Sequence, residues 1–228
     1  MSDKNIVSLT ASFKPDSTMV SVKSVTDKGA SIVKDVLIED FLTMISSAVR
    51  KGDKVSFSDC RLGGLPEGLV DMSYRSDGNF AVLQQVPSTV FVVEYCNKKY
   101  SIPFPSLLFF TKVIDGRVTK VATFAVKEEK ATAKSTLYHY PFGNVYGDGR
   151  VCWGSNKLPQ LKKPVESNII PTLFFSAPTN SDLWSREYFS KEGVEPVLSK
   201  VYEFLNGKEE FPLSSLKAAK VTIDELFN

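Results

Sequence analysis

Leu137-Tyr138-His139-Tyr140-Pro141-Phe142-Gly143-Asn144-Val145-Tyr146-Gly147-Asp148-Gly149-Arg150-Val151-Cys152-Trp153-Gly154 is the stretch on which the reading of this chain turns. It carries the sole histidine and four of the thirteen glycines. Gly147 and Gly149 bracket an aspartate, a composition suited to tight turns and positive φ. The segment reads as a glycine-punctuated loop that ends by presenting one thiol, Cys152, with little side-chain bulk beside it.

Upstream of the loop the chain reads as strands. Runs at 69–75, 79–86, 89–95, 99–104, 107–114 and 117–126 are strand-sized, with turns expected at Asn97-Lys98 and Asp115-Gly116, the second a strong hairpin signal. They predict an antiparallel meander. Phe91, Val93, Tyr95, Phe109 and Phe110 are candidate core residues, because aromatic and β-branched strand residues pack. Cys60 and Cys96 read as small apolar strand residues. Residues 127–134 are polar and form a solvated loop. Before the meander, alternating runs at 5–12 and 18–25, joined at Pro15-Asp16-Ser17, predict a hairpin, with a third strand at 30–37. Ile38, Phe41, Leu42, Ile45 and Val49 follow helical spacing to a stop at Gly52, so a helix is expected over 38–50 and a strand at 53–58. The glycines and proline of 61–68 mark a boundary between an extension, 1–62, and a main domain, 63–228.

Downstream, the chain is expected to stay irregular from Cys152 through Pro171 to Pro178. Ser181 or Asp182 then caps a predicted helix holding Leu183, Trp184 and Tyr188. Val197, Leu198, Val201, Tyr202 and Leu205 form a second stripe, closed by Gly207. Thr222 and Glu225 stand at capping-box spacing before Leu226 and Phe227. Strands followed by helices give an α+β class.

The totals narrow the function. Hydrophobic residues make up 43% of 228, enough for a sizeable core. A net charge of +2, with 28 basic and 26 acidic residues, provides no field for drawing in nucleic acid or a membrane surface. No apolar run approaches the ~20 residues that span a bilayer, and the N-terminus lacks a signal-peptide apolar block. Three cysteines without paired spacing, and one histidine, argue against a disulfide framework and a zinc site. The expected compartment is reducing and the expected location cytoplasmic.

Cys152 is the candidate nucleophile. A thiol attacks as thiolate, which nearby positive charge favours, and Arg150, Lys157, Lys162 and Lys163 are close in sequence. An asparagine such as Asn144 can donate to a developing oxyanion. A thiol and an amide donor without a base suit thioester exchange. His139, thirteen residues before the cysteine, leaves a Cys–His hydrolase open. A loop cysteine with no chemistry is the third reading.

The spacing of Asn144, Gly149, Val151 and Cys152 resembles the active-site segment of ubiquitin-conjugating (E2) enzymes, in which His-Pro-Asn precedes the cysteine. Phe142 and Gly143 stand where that pattern has His and Pro; a second alignment puts Tyr138-His139 on the family's Tyr-His, with Pro141 nearby. The run from Tyr140 to Gly154 is similar to bacterial E2-like proteins of the prokaryotic E2 family D, the PRTRC system protein B group. The resemblance implies a UBC-like core: meander, active-site loop and C-terminal helices, with an N-terminal hairpin-and-helix extension. It implies that Cys152 accepts the C-terminus of a ubiquitin-like protein as a thioester and passes it to an amine, while Asn144 steadies the loop or the oxyanion. The alternative under the same resemblance is a catalytically inactive E2-fold binding or scaffold module in a ubiquitin-like pathway, its cysteine incidental. Tyr138, His139, Gly149, Arg150 and Trp153 are candidate accessory residues. No cofactor is implied, because the activating enzyme uses the ATP. The implied partners are an E1-like ThiF-type enzyme, a small ubiquitin-like protein and a JAB-type protease. Trp153-Gly154 replaces the family's usual Leu-Asp, so Glu166 or Asp182 is left to supply an acidic group.

Overall fold

Short turns build most of the sheet. The computed structural model describes residues 6–13, 17–26, 29–42, 64–75 and 77–228. Strands β1 (Ile6–Phe13), β2 (Met19–Thr26) and β3 (Ser31–Leu37) pair antiparallel in succession, as the alternating runs predict. A helix, α1, begins at 38 and covers the described residues 38–42. The rest of the helix expected to 50, the strand expected at 53–58 and Cys60 lie outside the described residues. Then come β4 (Leu69–Tyr74), β5 (Phe80–Val86), β6 (Thr89–Tyr95), β7 (Lys98–Phe104), β8 (Ser106–Ile114), β9 (Arg117–Val126) and β10 (Tyr138–His139).

The strands do not form one continuous meander. Eight of them make an antiparallel sheet in the order β10-β9-β8-β5-β4-β1-β2-β3, while β6 and β7 form a separate hairpin. β5 therefore pairs directly with β8. Prolines explain the departure: Pro103 lies within β7 and Pro105 follows it, and a residue without an N–H is tolerated only at a sheet edge. The hairpin folds over one face instead, where Phe91 stacks on Phe175 at 4.2 Å and Tyr95 meets Tyr202 edge-on at 5.4 Å. Its turn is Cys96-Asn97, one residue earlier than expected, with φ of 50° and 60°. Cys96 is thus an exposed turn residue, not a packed strand residue. Asp115-Gly116, at 52° and 71°, is the expected hairpin turn; both pairs have the two positive φ values of a type I′ turn.

The central strands are buried on both faces. Leu107 and Phe109 of β8 join one core cluster, and Leu108 and Phe110 the other. This is why that stretch reads as an unbroken apolar run. The first cluster lies beneath β6–β7, α2 (Ile169–Ser176) and α3 (Leu198–Leu205). The second is closed by α4 (Ile223–Phe227), which carries the expected Thr222–Glu225 capping box. Helix α2 was not expected, because Pro171 argues against a helix. Pro171 is the third residue of α2, in the first turn, where the N–H it lacks has no intrahelical partner to lose. Conversely, 181–189 is a run of turns and not a helix. Leu183 and Phe189 adopt left-handed φ of 67° and 64°, which interrupts helical geometry. Among the described residues no helix is long and apolar enough to cross a membrane.

β1 also pairs with β4, so the sheet continues across the 61–68 boundary. Asp71 sits on this seam, opposite Ser12, and is 4% exposed. Burial raises its carboxyl to about 6, against hydrogen bonds from the Met72 N–H at 2.8 Å and the Ser12 hydroxyl at 3.1 Å; Asp224 raises it further and Lys23 lowers it. Between the unfolded value of 3.8 and about 6, the folded chain holds a proton that the unfolded chain has released. The contribution to stability is therefore fully present below 3.8 and is lost as pH rises through 6. Asp71→Asn, neutral at every pH, is expected to be more stable than wild type by about 2 kcal/mol at pH 7.5 and near parity at pH 4. Urea melts at the two pH values check this; an equal difference at both contradicts it.

Candidate active site

One edge of β9 organises the site. His139 pairs with Phe124, and Arg150 bridges to Ala122 on the same edge. The Thr123 N–H donates to the Gly149 carbonyl at 2.8 Å, and the Val151 N–H donates to the Val121 carbonyl at 2.9 Å. Residues 149–151 therefore continue the line of β10, and 140–148 are looped out between adjacent register positions. Farther along, Gln160 bridges to Arg117. Cys152 stands where the chain leaves the edge between these contacts.

The excursion is itself a small hairpin. Val145 and Val151 bridge, the Tyr146 N–H donates to the Arg150 carbonyl at 2.9 Å, and the Cys152 N–H donates to the Asn144 carbonyl at 2.8 Å. The turn closes with the Gly149 N–H on the Tyr146 carbonyl, also at 2.9 Å. Gly149, at φ 84°, takes the left-handed position; Gly147 does not have a positive φ. This is a three-residue turn ending in a glycine bulge. Val145 and Val151 face the core. Tyr146, Arg150 and Cys152 share the outer face, since alternation sets side chains two apart on one side.

The loop is held without the His-Pro pair. Phe142, where that pattern has His, is 1% exposed and packs among Phe104, Tyr140 and Tyr202, with ring centroids 4.9, 5.6 and 5.6 Å away. A Cβ on Gly143 would collide with the Asn180 carbonyl, so the loop and the 178–182 segment touch backbone to backbone. Asn144, at φ 68°, donates its side-chain amide to the Pro178 carbonyl at 2.8 Å and its N–H to the Asp182 carbonyl at 3.2 Å. The Trp184 indole donates to the Pro141 carbonyl at 3.2 Å.

Cys152 is a free, half-buried thiol. Trp153 packs edge-on to Phe174 at 6.5 Å and walls a cavity of about 180 Å³ with Asn156, Leu158, Leu173 and Pro178. The Trp153 Nε1 is buried and has no hydrogen-bond partner among the described residues. The cavity is tied to the loop through Trp153, the chain neighbour of Cys152, and through Pro178, which accepts from the Asn144 amide.

Other expected site residues are placed differently. Val151 pairs three register positions from the partner of His139, roughly 10 Å of strand, and Cys152 lies beyond it. No hydrogen bond joins the ring to the sulfur. Burial, then the Lys217 charge, lowers the His139 pKa. A Cys–His couple is not assembled here. Tyr138 is half-buried, with the Lys127 ammonium 4.7 Å above its ring. Arg150 donates to Asp148 from Nε at 2.6 Å and from its N–H at 3.1 Å, and its guanidinium lies 5.2 Å from the Tyr146 ring. Burial pulls the Asp148 carboxyl up, but the Arg150 bonds outweigh it and hold it low. Glu166 accepts from the N–H groups of Lys162 and Lys163, at 2.6 and 3.2 Å, and is used as a cap. Asp182 is the acidic candidate whose backbone touches the loop.

Tyr146 is a site residue that the spacing of Asn144 and Cys152 does not point to. It is 40% exposed, and its hydroxyl donates to the Cys152 sulfur at 3.8 Å. That hydrogen bond, with the sulfur's charge, raises the phenol above its ordinary value. The turn residues Gly147-Asp148-Gly149 carried the signal: they place 146 across from 150, diagonal to 152.

The family model for prokaryotic E2 family D matches residues 80–219. The chain belongs to prokaryotic E2 family D. The family D match runs from β5 to the residues just before α4 and includes the whole Cys152 hairpin. No curated protein and no solved structure matches the chain. Membership in family D gives it an E2-like place in a prokaryotic ubiquitin-like pathway.

Proposed function

We propose that this chain is a carrier of a ubiquitin-like protein, with Cys152 as the acyl acceptor. The observation that carries the reading is the 2.8 Å hydrogen bond from the Cys152 N–H to the Asn144 carbonyl. It turns the E2-type Asn-to-Cys spacing into a closed hairpin that ends on a half-buried thiol. The Cys152 sulfur attacks the activated C-terminal carbonyl held by an E1-like enzyme. A C–S bond to Cys152 forms, the bond from that carbonyl carbon to the E1 leaving group breaks with its electron pair staying on the leaving group, and the thiol proton passes to that group or to solvent. An amine then attacks the same carbon, the C–N bond forms, the C–S bond breaks, and the amine proton goes to solvent. Asn144 serves as the strut of the loop, since its amide is engaged by Pro178. Asp182, whose carbonyl accepts from the Asn144 N–H, is the proposed acidic group for the incoming amine.

The proposed core is UBC-like over 63–228, with 1–62 an extension that lengthens its sheet. The proposed partners are a ThiF-type activating enzyme and a small ubiquitin-like protein, with a JAB-type protease in the same pathway. The proposed setting is the cytoplasm, in a PRTRC-type system. Incubated with ATP, the ThiF-type enzyme and the small ubiquitin-like protein, the chain is expected to gain the mass of that protein less one water. Dithiothreitol should reverse the gain. An unchanged mass for the wild-type chain sinks the reading.

A further inference from the structure

We propose that Tyr146 is a catalytic residue that donates a hydrogen bond to the Cys152 sulfur and steadies that sulfur as it departs during acyl transfer, with Asp148 and Arg150 as its positioning residues. The role in transfer rests on the carrier reading above; the contact itself does not.

Three contacts on one face of the hairpin form a relay. Asp148 holds Arg150 through two hydrogen bonds, at 2.6 and 3.1 Å. Arg150 lies 5.2 Å from the Tyr146 ring. Tyr146 donates its hydroxyl proton to the Cys152 sulfur at 3.8 Å. The glycine-bulged turn sets all four in register, so the phenol meets the sulfur by backbone geometry. The Asn144 amide, the obvious alternative donor, is turned to Pro178.

The acidities fit a donor role. A phenol titrates near 10 and a thiol near 8.5 in isolation. The proton therefore stays on oxygen while the sulfur is ionised, and the phenol acts as a hydrogen-bond donor, not an acid. During aminolysis the C–S bond breaks and both electrons stay on sulfur. The Tyr146 O–H then donates to that growing charge, while the amine proton goes to solvent. The 40% exposure of Tyr146 leaves room for an acyl group to approach. The Nε–carboxylate bond from Arg150 to Asp148 places the guanidinium beside the Tyr146 ring.

The test compares wild type, Tyr146→Phe and Asp148→Ala. Iodoacetamide alkylation is followed at the Cys152 peptide by mass spectrometry from pH 6 to pH 10.5. Tyr146→Phe is expected to slow alkylation at pH 7 by roughly three- to tenfold, with the rates converging at high pH. Asp148→Ala should move the profile the same way by less. Thermal melts check that both variants fold, as surface substitutions should. Coincident pH profiles for wild type and Tyr146→Phe overturn the contact. In the charged state, discharge onto free lysine should slow by a similar factor in Tyr146→Phe; discharge at the wild-type rate overturns the catalytic role. If wild type never charges, the carrier reading and the catalytic role fall together, while the alkylation profile still decides the contact.

Discussion

Gly149→Ala is expected to lower stability by about 3 kcal/mol and to detach the Cys152 hairpin from the sheet. Two costs add. At φ 84° an alanine pays about 1 kcal/mol or more for a left-handed backbone. A Cβ there would also stand 2.6 and 2.7 Å from two atoms of the Phe124 ring. Phe124 is 1% exposed in the second core cluster and has nowhere to go, so overpacking adds a further ~1–3 kcal/mol. The cheapest relief is to lift the turn, which breaks the Thr123–Gly149 hydrogen bond. For a chain of this size the melting temperature should fall by roughly 10 °C, and the Cys152 alkylation profile should lose its dependence on Tyr146. Gly147→Ala is the control: a Cβ there meets nothing within 4 Å. Equal effects from the two substitutions contradict the account.

Phe142→Ala should cost about 3–5 kcal/mol, the range for a buried phenylalanine. Phe142 is where the loop enters the aromatic cluster. Besides Phe104, Tyr140 and Tyr202 it meets Phe189 and Phe211, with centroids 6.2 and 6.1 Å away. Truncation leaves a cavity that these rings, fixed on different elements, cannot all close. Phe142→His restores the histidine of the E2 pattern, yet it should destabilise too. The imidazole would sit in an apolar pocket without a hydrogen-bond partner. Denaturant melts of the two variants decide it. A histidine variant as stable as wild type would show that this position takes the E2-type histidine.

The parts of the fold governed by near neighbours were legible. Asp115-Gly116 makes β8–β9 because a two-residue turn of that type leaves no other pairing, and Thr222 with Glu225 caps α4 for a similarly local reason. What escaped depends on distant partners. Nothing local to β6 and β7 says that they leave the sheet and that β5 pairs with β8. Pro103 and Pro105 were the only hint. Pro171 reads as a breaker unless one knows that it lies in a first turn, and Leu183 and Phe189 turn left-handed in a stretch whose spacing looks helical. At the site, Cys152 could be named as the thiol that ends the glycine loop, and Asn144 by its E2-type spacing from it. The rigidity of the loop could not, because Pro178, Asn180 and Asp182 supply it from more than thirty positions away. Tyr146 lay between these cases, since its contact needs only the hairpin register, which the Gly-Asp-Gly turn implies.

The direct trial of the central claim is intact-mass analysis of wild type and Cys152→Ser after reaction with ATP, the ThiF-type enzyme and the small ubiquitin-like protein. A wild-type adduct that dithiothreitol removes and a serine adduct that survives it are expected, because an oxyester resists thiol exchange. An adduct of the same thiol sensitivity on both chains, or on the wild type with residue 152 unmodified, would contradict that claim.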